Sequence, residues 1–115
     1  GKGDFAPGAW GQQLVEELAP ADCAVEKIAY SAFYMTRLEW VLRKCGVTHL
    51  YVGGIVTNGG VASTVRDAHV REFECTVLAD GCATFSQQIH DAAIEGLRPV
   101  ADILTIADAM KTIGA

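Results

Sequence analysis

Residues 49–64 read His-Leu-Tyr-Val-Gly-Gly-Ile-Val-Thr-Asn-Gly-Gly-Val-Ala-Ser-Thr, and no other stretch of the chain restricts the fold as much. His49 to Val56 is a nearly continuous apolar run, the pattern of a parallel strand covered on both faces. It ends at Thr57-Asn58, and from Gly60 to Arg71 the spacing is helical, with Val61, Thr64, Val65 and Ala68 on one side. A strand that turns through glycines into a helix brings backbone N–H groups to the strand's mouth. Amides of a first helical turn have no partner inside the helix, and the macrodipole adds partial positive charge. The bare amides at Gly59 and Gly60 would let a ligand come close to the backbone. Such a mouth suits negative charge and would stabilise a developing oxyanion. Val56, Thr57, Asn58, Gly59 and Gly60 are therefore the first candidates for binding.

The rest of the chain alternates between strand and helix patterns. Gly1 to Gly11 is rich in glycine and proline and reads as an arm or loop, and Gln12 to Leu18 as a short helical turn stopped by Pro20. Ala24 to Tyr30 alternates in the manner of a strand, with Lys27 as a charged residue aimed somewhere particular. Leu38, Val41, Leu42 and Cys45 form the stripe of an amphipathic helix over Thr36–Cys45, ended by Gly46. Glu74 to Ala79 reads as the next strand, Ser86 caps a helix running through Leu97, Ile103 to Thr105 is a short strand, and Asp108 to Ile113 a terminal helix. Four β segments separated by helices imply a parallel sheet with right-handed crossovers, hence an α/β fold.

With 115 residues, one domain with one modest core is expected over residues 1–115, since two would each bury too little surface. The charge of −5, without a Lys/Arg cluster, argues against nucleic acid and anionic membrane as partners. No apolar stretch reaches the ~18 residues of a membrane span, and Gly1-Lys2-Gly3-Asp4 lacks the core of a signal peptide, so a cytoplasmic protein is expected. Cys23, Cys45, Cys75 and Cys82 lie far apart with no C-x-x-C pair. That spacing argues against zinc and a disulfide framework and favours buried thiols, and no metal or cofactor is expected.

Several motifs, in order, resemble those of the isochorismatase-like hydrolases, a family of amidases and vinyl-ether hydrolases. Gly53 to Thr64 resembles the family's G-V-A-T-N-x-C-V-x-S-T, with Gly60 where the nucleophilic cysteine stands. Val25-Glu26-Lys27 with Ser31-Ala32-Phe33, Thr36 and Leu38 resembles the segment that carries the family's catalytic lysine. Ser63-Thr64-Val65-Arg66-Asp67-Ala68 and Asp80-Gly81-Cys82-Ala83-Thr84, with Ser86 and His90 following, resemble two further segments. The resemblance implies a doubly wound parallel sheet in a three-layer, Rossmann-like sandwich. It implies that Lys27 is catalytic, that Phe33 is a pocket wall, that the peptide entering Val56 is cis, and that the Val56 and Gly60 amides form an oxyanion hole. It also implies that the family's first two strands, including the one bearing the aspartate of an Asp-Lys-Cys triad, have no counterpart here, so that the domain is incomplete at its N-terminus.

Gly60 decides which chemistry remains open. Thioester chemistry needs a thiolate, and glycine closes that route. Vinyl-ether hydrolysis needs a general acid, in the family the aspartate, and tolerates glycine here. Thr57-Asn58, however, resembles the amidase branch rather than the isochorismatases. The reading is a hydrolase of small amide or ureido substrates, with Lys27 and the Val56 and Gly60 amides in its pocket. The alternatives are a vinyl-ether hydrolase and a catalytically silent binding or assembly subunit. His90 reads as a helix-face residue, and Asp80 as a cleft residue or a cap on the turn into Ala83. The Val52–Val56 strand is expected to be central in the sheet. A sheet missing middle strands exposes apolar edges, so the chain is expected to form a homo-oligomer or to associate with the missing N-terminal part.

Overall fold

The computed structural model describes residues 24–114. Elements follow in the order α1 (Leu38–Lys44), β1 (His49–Ile55), a wide turn of π-helical form (Thr57–Val61), α2 (Ala62–Val70), β2 (Glu74–Ala83), α3 (Gln87–Leu97), β3 (Asp102–Leu104) and α4 (Ile106–Ile113). The three strands form one sheet in the order β1-β2-β3, parallel throughout. Helices joining parallel strands give the expected α/β architecture.

The core is built where α2 and α3 cover the sheet. Val61, Ala62, Val65 and Ala68 from the turn and α2 meet Cys75 and Val77 of β2 and Ile94 and Leu97 of α3. Val65, Ala68, Val77 and Leu97 are completely buried, so the helical stripe and the middle strand share one interior. Ser86 caps α3, its hydroxyl accepting from the Ile89 amide at 3.2 Å.

β1 lies at the edge of this sheet, not in its middle, and β2 occupies the centre. The apolar run of β1 is consequently half-covered: Ile55 is 55 % exposed and Tyr51 37 %. Residues 24–30 form no strand. With no neighbouring strand among the described residues, their carbonyls turn to a local partner, and Lys27 Nζ donates to Ala29 O at 2.7 Å and to Tyr30 O at 3.1 Å. Three strands rather than four are present among the described residues, and the arm and helical turn expected before Ala24 lie outside them.

β2 runs four residues past the expected end at Ala79. Its first half pairs with β1 as far as Val52↔Val77, and the pairing resumes at Gly54↔Cys82 after an irregularity. Gly53 passes so close to β2 there that a Cβ on it would stand 3.0 Å from Gly81 O, and Gly54 has φ +138°, which L side chains rarely adopt. Asp80, on the irregular stretch, accepts from the Ile106 amide at 2.8 Å, and Thr105 Oγ1 accepts from Asp108 N at 3.1 Å. These two acceptors start α4 two residues before the expected Asp108.

Candidate functional site

The site lies where β1 ends. The Ile55–Val56 peptide is cis, and the chain then enters the Thr57–Val61 turn. This turn is tied from one side by two side-chain hydrogen bonds. Thr57, fully buried, shares a hydrogen bond of 2.8 Å between its Oγ1 and His90 Nδ1, and Asn58 Oδ1 accepts from Thr84 Oγ1 at 2.8 Å. Both partners stand more than 25 residues away, on β2's exit and on α3.

Lys27 arrives from the other side. Its segment is pinned to α2 by the Ala32 amide, which donates to Thr64 Oγ1 at 2.9 Å, and is folded on itself by Ser31 Oγ, which accepts from Phe33 N at 3.1 Å. A Cβ placed on Gly60 would lie 3.8 Å from Lys27 Nζ and 3.4 Å from both Ile55 O and Tyr30 O. Residues 33 apart in the chain are thus brought together, and a Cβ at position 60 would stand beside the ammonium.

The remaining candidates divide. Val56 and Gly60 are half-buried at the mouth. The Gly59 amide is not free for a ligand: it donates to Val56 O at 3.0 Å, and a Cβ on Gly59 would strike Val56 Cγ2 at 2.9 Å. Gly59 serves the turn's own closure. Thr57 and Asn58 place their side-chain oxygens on His90 and Thr84 and so brace the turn. Phe33 packs in the core, 5 % exposed, with its ring centroid 5.9 Å from that of Phe73 and the Arg71 guanidinium 5.2 Å over it. An aromatic that packs so fully inward is core structure here rather than a wall of the mouth.

No cysteine among the described residues stands beside Lys27. Cys45 ends α1 and is exposed, while Cys75 and Cys82 are on β2. Burial pushes the Cys75 thiol up. Burial also raises that of Cys82, against the pull of a hydrogen bond with the Gly54 backbone and with a further push from Asp80. Neither has the lowered pKa of an activated thiol. His90, read as a helix-face residue, also lines a cleft of about 490 Å³ with Asp80, Cys82, Ser86, Asp91 and Thr105. Its place four and seven residues before the buried Ile94 and Leu97 was the sequence signal, since that spacing sets all three on one face of α3. Among the described residues no group of three His, Cys, Asp or Glu side chains could hold a metal ion, and no helix is long and apolar enough to cross a membrane.

Residues 1–108 match the family described as the isochorismatase domain. An isochorismatase-like hydrolase from Alkaliphilus metalliredigens superimposes with a TM-score of 0.83 at 27 % identity, over 91 % of this chain and 60 % of its own. A cysteine hydrolase from Pseudomonas syringae pv. phaseolicola gives 0.83 at 27 % identity, over 89 % and 55 %. A pyrazinamidase/nicotinamidase from Streptococcus mutans gives 0.66 at 32 % identity, over 68 % and 44 %. The chain therefore spans less than two thirds of the length of each of these structures.

Proposed function

The chain belongs to the isochorismatase domain family, and from that premise we propose that it derives from a hydrolase of small amide or ureido substrates. In this reading Lys27 supplies positive charge at the mouth of β1, and the backbone at Val56 and Gly60 receives the substrate's carbonyl oxygen. The carrying observation is the convergence of Lys27 Nζ on the place a side chain at position 60 would occupy, 3.8 Å from its Cβ. The amidase branch is favoured by Thr57-Asn58 and by the resemblance to a pyrazinamidase/nicotinamidase. Among the described residues neither a cysteine nor an acid is placed at the mouth beside Lys27. The acid is to come from a segment that completes the sheet at β1, whose exposed Tyr51 and Ile55 support such an association or one between copies of the chain. A cytoplasmic location accords with the free thiols Cys45, Cys75 and Cys82.

Gly60 itself favours a second reading, a pocket that binds without cleaving or that hydrolyses a vinyl ether, since neither needs a side chain at position 60. One experiment separates the two: nicotinamide is added to the chain while ammonia release and binding are followed together. Binding without ammonia release, with release gained by Gly60→Cys in the presence of the completing segment, supports the amidase origin. Binding that persists without release in that reconstituted form supports the silent pocket. Absence of binding in every form would overturn the assignment of the mouth to a small amide.

A further inference from the structure

We propose that His90 is a positioning residue for the turn that carries Gly60, acting through the hydroxyl of Thr57. The inference rests on the reading of the Lys27–Gly60 mouth given above and extends it to a residue outside that mouth.

Thr57 is completely buried, and a buried hydroxyl without a partner is costly. Its partner is His90 Nδ1 at 2.8 Å, so the turn is cheapest in the one placement that brings Oγ1 to the imidazole. The imidazole is in turn held by the start of α3. His90 N donates to Ser86 O at 3.0 Å, Ser86 Oγ caps Ile89 N, and the helix is seated by Ile94 and Leu97 in the core. Thr57 is the first residue of the turn and stands three before Gly60. A shift of Thr57 therefore moves the peptide planes between Val56 and Gly60 relative to Lys27, which is anchored separately through Ala32 and Thr64. The bond does not depend on a single tautomer: a hydroxyl both donates and accepts, so Nδ1 can act in either role. His90 acts by location, not by proton transfer to substrate.

The test uses the full chain carrying Gly60→Cys. The introduced thiol reports the turn's position relative to Lys27 through its rate of alkylation by iodoacetamide, read on the peptide containing position 60 by mass spectrometry. Thr57→Val keeps the shape and removes the hydroxyl, and it should slow alkylation by up to about fivefold, the most that losing a lowering of about 0.7 pH unit can cost a thiol below its pKa. Thr57→Ser should restore the rate. His90→Leu should match Thr57→Val, His90→Asn should fall closer to the parent, and the Thr57→Val/His90→Leu pair should be no slower than either alone. Parent-like rates in both Thr57→Val and His90→Leu would overturn the proposal.

Amide hydrogen exchange, with glycine retained at position 60, guards against general loss of stability. Thr57→Val should speed exchange at the Gly59 amide, which donates to Val56 O at 3.0 Å, about two- to tenfold while leaving that of Val77 in β2 unchanged. An equal rise at both amides would mean that Thr57 is merely structural and would overturn the inference. If the introduced thiol reacts like any exposed thiol in the parent, the Lys27–Gly60 reading fails, and exchange at Gly59 still decides the role of His90.

Discussion

Gly60→Cys is the substitution whose outcome the structure specifies most closely. The new Cβ would stand 3.4 Å from the nearest atoms, Ile55 O and Tyr30 O, which is ordinary contact, so the backbone need not move. From a Cβ 3.8 Å from Lys27 Nζ, the sulfur reaches the ammonium's neighbourhood. At about 4 Å a unit charge pair is worth about 1 kcal/mol in a water-like medium and about 4 kcal/mol at an effective dielectric of about 20. Lys27 is exposed, so screening holds the gain near the lower figure. The start of the helix adds about 0.3–1 kcal/mol for a negative sulfur, and the two carbonyl oxygens subtract. The balance is about 1 kcal/mol in favour of the thiolate, which lowers the introduced thiol by about 0.7 pH unit from about 8.5. The alkylation rate at position 60 measured across pH gives that value directly, and Lys27→Met should return it to the ordinary one. A thiol titrating at or above the ordinary value, or unchanged by Lys27→Met, would refute the placement of Lys27 at the mouth.

Two further outcomes concern stability. Gly59→Ala puts a Cβ 2.9 Å from Val56 Cγ2 in a turn closed by the Gly59 N–H to Val56 O bond, so it should destabilise by about 1–3 kcal/mol in urea unfolding, with the m-value unchanged. Burial holds the Cys75 thiol protonated above its ordinary range, so the folded state binds the proton more tightly than the unfolded state does. Its contribution is therefore complete below the ordinary thiol pKa and is lost as pH rises through that value toward the raised one. Urea midpoints should fall over that alkaline window, and Cys75→Ala should flatten the fall; an unchanged slope would place the pH dependence elsewhere.

The parts of the fold legible in the sequence are those set by local pattern. The apolar run of β1, the α2 stripe of Val61, Val65 and Ala68, and the Ser86 cap each depend on neighbours within a few residues, and the structure has them at the expected positions. The departures come from partners distant in the chain. Alternation over residues 24–30 resembles a strand, yet a strand requires a ladder, and these carbonyls bond to Lys27 instead. Asp80-Gly81 reads as a turn, yet β2 continues past it because Gly53 and Gly54 allow β1 to follow. The resemblance implies a pocket wall at Phe33, but Phe73 and Arg71 draw it into the core. The brace of the site was hidden for the same reason, since nothing local to Thr57 or Asn58 points to His90 or Thr84.

The contrast between the two adjacent glycines bears on what position 60 means. Gly59 is favoured by packing within the turn, because a Cβ there would stand 2.9 Å from the Val56 Cγ2 methyl. Gly60 is not: its φ lies outside the left-handed range, and a Cβ there meets only ordinary contacts. The turn is held by Thr57 and Asn58 on one side, and Lys27 is held by the Ala32–Thr64 bond on the other, neither of which involves position 60. The fold would accordingly keep the mouth in shape with or without a nucleophile in it. The glycine at position 60 is then not an architectural requirement, since the contacts that support the mouth are made by other residues.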